Sequence, residues 1–81
     1  MSVEEIFGIM RELVAEEFVM EPDSVTMETS FEDDLGANSV DLVELVMAME
    51  ERFEIEEVAE TELPALKTVG DAVRFLAERM K

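Results

Sequence analysis

The sequence predicts an all-α protein, a small four-helix bundle with three longer helices, one short third helix and a long first loop. Two observations predict this class. Apolar residues recur every three or four positions in three separate stretches, which is the period of an amphipathic helix, and no stretch alternates strictly between apolar and polar residues as a half-buried strand does. With 81 residues, the chain is expected to form a single domain, 1–81, around one core.

The first helix is predicted to run from Val3 to Phe18. It begins with a capping-box pattern, in which the Ser2 hydroxyl and the Glu5 carboxylate satisfy free N–H groups at the helix start. Pro22 ends this helix, because the residue before a proline is driven out of the helical region. Residues 20–37 then form the long loop. Four of its apolar side chains are expected to hold it against the core: Val25, Met27, Phe31 and Leu35.

The second helix is predicted to begin at Asn38 or Ser39 and to end at Phe53. Asparagine is a strong N-cap residue, and Asp41 lies where a carboxylate suits the positive helix end. The predicted buried stripe consists of Val43, Val46, Met49 and Phe53, with Leu42 and Leu45 at its margins. The predicted water-facing residues are Glu44, Glu50, Glu51 and Glu54, with Met47 among them.

Two further helices are predicted after residue 54. Residues 55–66 are expected to hold about two helical turns before Pro64, followed by a turn. Thr68 and Asp71 repeat the capping pattern and open a last helix that runs to the C-terminus. The apolar face of this last helix consists of Val69, Ala72, Val73, Leu76, Ala77 and Met80.

The composition argues against catalysis and against polyanionic partners. The chain has no histidine and no cysteine, so it lacks the commonest general base, a thiolate nucleophile and a zinc-ribbon pattern. Its net charge of −16 would repel nucleic acid and an anionic membrane surface. Neither a signal-peptide pattern nor an apolar span long enough for stable membrane insertion is present. We therefore expect a monomeric, cytoplasmic protein that is not an enzyme.

The most informative feature is Ser39, at the expected start of the second helix. It follows an apolar anchor, Leu35, and a glycine turn at Gly36, so that an exposed hydroxyl stands on a rigid base. The run from Asp34 to Phe53, DLGANSVDLVELVMAMEERF, resembles the attachment-site helix of acyl carrier proteins. A lone serine before a helix is more often a simple cap, whereas the whole run favours an attachment site.

The resemblance implies that Ser39 carries a 4′-phosphopantetheine arm, derived from coenzyme A, whose thiol holds acyl groups as thioesters. A helix N-terminus also favours the phosphodiester anion that the attachment creates. The resemblance further implies a bundle in which the second helix lies between the first and the fourth. The chain departs from the family at two positions, because Asn38 and Val40 replace the aspartate and leucine typical of fatty-acid carriers. Asn38 keeps the cap but removes a charge beside the serine.

The resemblance also implies partners with basic docking patches. These are a phosphopantetheinyl transferase and the acyl-transfer, condensing and reducing enzymes of fatty-acid biosynthesis. From residue 31 to residue 60 the chain has eleven acidic residues and one basic residue, Arg52, and such a one-signed surface steers encounters with cationic partners. The recognition residues that follow from the resemblance are Asn38, Val40, Asp41, Glu44, Met47, Glu50 and Glu51.

An acyl chain on the arm is expected to be sheltered inside the bundle, where the second helix faces residues 55–66. The predicted pocket residues are Val46, Met49, Val58, Leu63 and Leu66. The acidic groups at 32–34 and 54–57 lack the spacing and glycine of an EF-hand loop, so no dedicated metal site is predicted. Two alternatives stay open: a dedicated carrier of polyketide, modified-lipid or aminoacyl groups, and an unmodified acidic adaptor that binds basic proteins.

Overall fold

The computed structural model describes residues 1–80 and confirms the all-α class. Three α-helices form the body of the molecule, and two short 3₁₀ helices lie in the connections between them. The α-helices are α1 (Val3–Phe18), α2 (Ser39–Phe53) and α3 (Val69–Arg79), and the 3₁₀ helices are Pro22–Ser24 and Glu60–Ala65. None of the described helices is both long and apolar enough to cross a membrane.

Helix α1 has the predicted bounds and the predicted cap. The Ser2 hydroxyl accepts a hydrogen bond from the Glu5 amide at 3.1 Å, and the Glu5 carboxylate accepts one from the Ser2 amide at 2.9 Å. The helix ends at Phe18, and the next residue, Val19, caps it in a left-handed conformation with φ of 50°, its amide donating to the Ala15 carbonyl. Local sequence signals were sufficient to predict this element.

Helix α1 is the central helix of the bundle. It packs most extensively against α3 and also against α2, so the expectation that the second helix lies between the first and the last is wrong. The apolar side chains of α1 extend around a wide face. Ile6, Met10 and Val14 are fully buried, and the flanking side chains that also pack against the core are Phe7, Ile9, Leu13 and Phe18.

Helix α3 begins with the predicted cap. The Thr68 hydroxyl accepts from the Asp71 amide at 3.1 Å, and the Asp71 carboxylate accepts from the Thr68 amide at 3.1 Å. The predicted face is confirmed as well, because its four central members are buried and two more pack at the edge of the core. The buried residues are Val69, Ala72, Val73 and Leu76, and the edge residues are Ala77 and Met80.

Helix α2 buries a stripe that is rotated relative to the predicted one. Its buried residues are Leu45, Val46, Met49 and Phe53. Val43, predicted to be buried, is 41% exposed, and Leu45, predicted at the margin, is fully buried. Positions 42, 45, 46, 49 and 53 follow one helical spacing toward the core. Val43 instead belongs with Val40 and Met47, on a side of the helix that the core does not cover.

The segment after α2 differs most from its prediction. Residues 55–59 are not helical, and the helical part is a 3₁₀ helix, Glu60–Ala65, which includes Pro64 instead of ending before it. The Val58 amide donates to the Glu50 carboxylate at 2.6 Å. In an α-helix this amide would donate to a backbone carbonyl; here a side chain of α2 accepts its hydrogen bond instead. Glu50, predicted to face water, is half-buried for the same reason.

Three backbone hydrogen bonds fasten the long loop to the start of α3. The Phe31 amide donates to the Lys67 carbonyl at 3.0 Å. The Val69 amide donates to the Thr29 carbonyl at 2.9 Å, and the Gly70 amide donates to the Met27 carbonyl at 2.8 Å. The loop that leads to α2 is therefore held against a second element over several residues.

Side chains hold the same loop to the core. Val25 and Phe31 are buried, and Met27 and Leu35 pack partly buried against the core, which confirms the predicted anchors. Arg11 on α1 adds a contact that was not predicted, since its Nε and Nη2 atoms donate to the Val25 carbonyl at 3.1 and 2.9 Å. The long loop is thus a well-anchored part of the fold.

Candidate functional site

Ser39 is the first residue of α2, and its side chain is exposed. The residue before it, Asn38, caps the helix as predicted. The Asn38 side-chain oxygen accepts from the Asp41 amide at 2.9 Å, and the Asp41 carboxylate accepts from the Asn38 amide at 3.3 Å. Because this reciprocal cap is complete, the Ser39 hydroxyl is not needed for capping and stays available for chemistry.

The chain just before Ser39 stands on a rigid base. Gly36 has φ of 62°, in the left-handed region that glycine enters without steric cost, so the chain can turn sharply toward α2. The Ala37 amide then donates to the Phe31 carbonyl at 2.8 Å, and the Phe31 amide donates to the Lys67 carbonyl at 3.0 Å. The position of the serine is therefore coupled through Phe31 to the start of α3.

Two surface grooves meet at Ser39. The loop groove, of about 660 Å³, runs between the long loop, α2 and residues 63–68, and its walls include Phe31, Leu42, Leu66 and Lys67. The helix groove, of about 520 Å³, lies along the exposed side of α2, and its walls are Val40, Val43, Glu44, Glu60 and Leu63. Leu63 lines both grooves. A flexible group attached to Ser39 can lie in either groove.

The exposed side of α2 carries three apolar side chains. Val40 is 64% exposed and Met47 is 60% exposed, and Val43 lies on the same side of the helix. Glu44 and Glu51 are exposed four residues after Val40 and Met47, so they are neighbours of these apolar side chains on the helix surface. The result is an apolar strip beside carboxylates, which fits a partner surface that is both apolar and cationic. Val43 was missed as a member of this surface because it was assigned to the core.

Three of the predicted recognition residues also have roles inside the protein. Asn38 and Asp41 cap α2, and the Glu50 carboxylate binds the Val58 amide. Asp41 and Glu50 are half-buried, whereas Asn38 is exposed. These contacts restrain the three side chains, and their contribution to partner recognition stays a prediction.

Three carboxylates lie close together where the end of α1 meets the start of α2. Oxygen atoms of Glu17, Asp41 and Glu44 lie within 4.8 Å of one another, a spacing at which carboxylates can share a divalent cation. Burial raises the pKa of Glu17, and the nearby charges of Glu44 and Asp41 raise it further. The sequence analysis missed this cluster because Glu17 lies on a different helix from the other two.

The five predicted pocket residues lie at the interface between α2 and residues 55–66. Val46, Met49, Val58 and Leu66 belong to the buried core, and Leu63 is partly buried against it. Leu63 and Leu66 also reach the loop groove beside Ser39. The structure thus brings these side chains together, and a sheltered acyl chain at this place stays a prediction.

The surroundings of Ser39 fit a phosphate ester. The chain has no histidine that could remove the serine proton, so a self-activated nucleophile is not supported. The free N–H groups and the dipole at the start of α2 favour an anion there, and the grooves offer walls along which an attached arm can lie. A 4′-phosphopantetheine group would therefore be held by the first turn of α2, and it would supply the thiol that the chain itself lacks.

Comparison with known proteins agrees with this chemistry. Residues 9–76 match the family model for the phosphopantetheine attachment site. The chain is 49% identical over 71 residues to the acyl carrier protein of Phenylobacterium zucineum (88% of this chain, 89% of that one). It is 45% identical over 71 residues to that of Sulfurovum sp. strain NBC37-1 (88% and 93%). The chain belongs to the acyl carrier protein family.

A solved acyl carrier protein structure, from Enterococcus faecalis, has the same fold, with a TM-score of 0.79 and 29% identity over 98% of this chain and 99% of that one. Acyl carrier proteins are carriers and not catalysts, and phosphopantetheine is their cofactor. Family membership therefore confirms the predicted cofactor and the prediction that this protein is not an enzyme.

Proposed function

We propose that Ser39 bears the phosphopantetheine arm and that the protein carries acyl groups on it, as thioesters, between enzymes of fatty-acid biosynthesis. The observation that supports this most is an exposed serine hydroxyl at the first position of α2, on a fastened loop and within the region 9–76 that matches the family model. In this proposal the 81 residues act as one monomeric carrier domain in the cytoplasm.

The attachment requires a separate phosphopantetheinyl transferase. The Ser39 hydroxyl gives its proton to the transferase and forms a bond to phosphorus, while the bond from that phosphorus to the adenosine bisphosphate part of coenzyme A breaks. The N–H groups at the start of α2 stabilise the phosphodiester anion that results. Asn38 supports the step by holding this first turn in its helical form.

The exposed side of α2 is proposed to dock the transferase and the acyl-transfer, condensing and reducing enzymes. Its apolar strip lies next to the attachment residue, so a partner that binds the strip has the arm within reach. Glu44 and Glu51 attract cationic side chains around that contact, mainly by raising the association rate. Methionine suits such a surface, because the flexible Met47 side chain can adapt to several partners.

Attachment is tested by intact-mass measurement after incubation with coenzyme A and a broad-specificity transferase. The wild type should gain the mass of one arm, Ser39→Ala should gain none, and Ser24→Ala, a matched change at another exposed serine, should behave as the wild type. An arm on Ser39→Ala would contradict the assignment. A wild type that several transferases leave unmodified would favour the unmodified adaptor instead.

Docking is tested by charge reversal on two helices. Glu44→Lys should lower the association rate constant for a basic partner at low salt, and added salt should narrow the difference because it screens exposed charges. Glu12→Lys, which makes the same change at an exposed position of α1, should have a much smaller effect. Equal effects of the two variants would indicate attraction by net charge alone.

A saturated acyl chain is proposed to enter past Leu63 into the interface with α2. Each buried methylene group contributes about 0.8 kcal/mol, so forms loaded with four, six and eight carbons should unfold at successively higher temperatures until the space is filled. The free-thiol form is the control. Identical unfolding temperatures, with unchanged NMR shifts at Val46, Met49, Val58, Leu63 and Leu66, would contradict sheltering and leave the attachment intact.

A further inference from the structure

The two grooves that meet at the attachment serine differ in charge. Each has two carboxylate residues in its wall, Glu32 and Asp33 in the loop groove and Glu44 and Glu60 in the helix groove. Among the described residues, the wall of the loop groove also contains a cation, Lys67, and the wall of the helix groove contains none. Lys67 is therefore the main electrostatic difference between the two.

The Lys67 ammonium is available to a new partner. Its backbone is held at the start of α3, where its amide donates to Asp71, but its exposed side chain forms no ion pair within residues 1–80. Arg11, Arg74 and Arg79 differ in this respect, because each guanidinium is bound to a carbonyl or carboxylate group. A wall residue of the groove beside the serine thus has a positive charge with no ion pair among residues 1–80.

We infer that Lys67 draws the phosphodiester of the arm into the loop groove and so decides which of the two grooves the arm occupies. This inference rests on the proposed attachment at Ser39. The phosphodiester is an anion tethered to Ser39, and Ser39 and Lys67 lie in the wall of the same groove, so the ammonium and the phosphodiester have a high effective concentration for each other. Both grooves have two carboxylates that repel this anion, and only the loop groove has Lys67 to offset the repulsion.

The choice of groove has a consequence for partner binding. Val40 and Val43 line the helix groove, and they belong to the apolar strip that is proposed to dock partners. An arm in that groove would cover the strip, whereas an arm in the loop groove leaves it open. The cationic patch of a docked enzyme then competes with Lys67 for the phosphodiester, and this competition releases the arm when a partner is present.

The bias is expected to be modest and sensitive to salt. Exposed ion pairs change a population ratio by about two- to fivefold, and added salt screens them. A ratio of this size is measurable, because the chain has no cysteine and the thiol of the arm is therefore the only place where a thiol-specific nitroxide label can attach.

The experiment measures paramagnetic broadening of backbone amides in the modified, nitroxide-labelled protein. In the wild type, amides of the loop groove (residues 31–33, 67 and 68) should broaden more than amides of the helix groove (residues 40, 43 and 60). Lys67→Gln should lower the ratio of the two sets by about two- to fivefold, and Lys67→Arg should restore it. Arg52→Gln removes the same charge from the far end of α2 and should leave the ratio unchanged.

The result that overturns the inference is a broadening ratio that is the same in Lys67→Gln and in the wild type, or one that Arg52→Gln lowers equally. Intact mass is measured on every sample before labelling. A wild type that never gains the arm overturns the proposed function and this inference with it, whereas a fully modified protein with an unchanged ratio overturns this inference alone.

Discussion

At the scale of single residues, Gly70 shows how closely the long loop approaches α3. A Cβ atom at this position would lie 2.8 Å from the carbonyl oxygen of Met27, the same oxygen that accepts the Gly70 amide. The Met27 carbonyl and the Gly70 backbone are joined by this hydrogen bond, so neither can shift to make room for the Cβ atom without a cost in energy. Gly8, in the interior of α1, is the opposite case, because its Cβ position has no atom within 4 Å.

Gly70→Ala is therefore expected to destabilise the protein by about 1–3 kcal/mol, the usual cost of forcing an extra carbon into a packed site. Gly8→Ala, the same chemical change in an open helical position, should stabilise it by up to about 1 kcal/mol. Urea denaturation of both variants measures the two free energies of unfolding. A Gly70→Ala variant as stable as the wild type would show that the loop does not depend on this contact.

At the scale of elements, Glu50 links α2 to the irregular segment 55–59. Its carboxylate accepts the Val58 amide at 2.6 Å, and Val58 is buried in the core. A hydrogen bond from a backbone amide to an ionised carboxylate is stronger than a hydrogen bond between two neutral groups. The contact therefore satisfies one backbone N–H of a segment that forms no helix, just before the 3₁₀ helix Glu60–Ala65, whose Leu63 lines both grooves.

Glu50→Gln should weaken this link and destabilise the protein by about 1–2 kcal/mol. Glu51→Gln removes the same charge from the exposed neighbouring residue and should change stability very little. Amide hydrogen exchange at Val58 is the direct measurement, and it should become faster in Glu50→Gln only. Equal exchange in both variants would mean that the segment is held by packing and not by the carboxylate.

At the scale of the whole molecule, a net charge of −16 on 81 residues opposes the compact state through self-repulsion. Within residues 1–80, one place where carboxylates crowd together is the contact between α1 and α2, at Glu17, Asp41 and Glu44. Glu44 also lies on the exposed side of α2 that is proposed to dock partners. The acidic surface that is proposed to attract partners therefore has a cost in the stability of the free protein.

Glu17→Gln should stabilise the protein at neutral pH and have little effect in acid. The pKa of Glu17 is raised in the folded state, first by burial and then by Glu44 and Asp41, so the folded protein binds this proton more tightly than the unfolded chain does. The cost of ionising Glu17 is therefore absent below the unfolded pKa, grows as the pH rises, and is complete above the raised folded pKa.

Thermal unfolding of Glu17→Gln between pH 3 and pH 7.5 measures this dependence. The control is Glu16→Gln, which removes a charge from an exposed neighbour on α1 and should give a smaller gain. Added salt should also stabilise the wild type at neutral pH, because it screens the repulsion. A gain from Glu17→Gln that is the same at pH 3 and at neutral pH would contradict the electrostatic origin.

The sequence by itself determined the start of every α-helix in the described residues and indicated the family of the chain. Each cap joins residues only three positions apart, as Asn38 and Asp41 show, so its geometry depends on local chain alone. The end of α1 and the anchoring of the long loop were predictable for similar reasons, since Pro22 and the apolar loop residues act through strong local or hydrophobic preferences.

Only the tertiary structure decided which side of α2 faces the core and which residues surround Ser39. Packing in the shared core buries Leu45 of α2 and leaves Val43 exposed. Residues 55–59 form no helix, and the carboxylate of Glu50 on α2 binds the Val58 amide there. Lys67 reaches the groove beside Ser39 because the start of α3 is fastened to the loop. Each of these outcomes depends on contacts between different elements, and a pattern within one segment does not encode them.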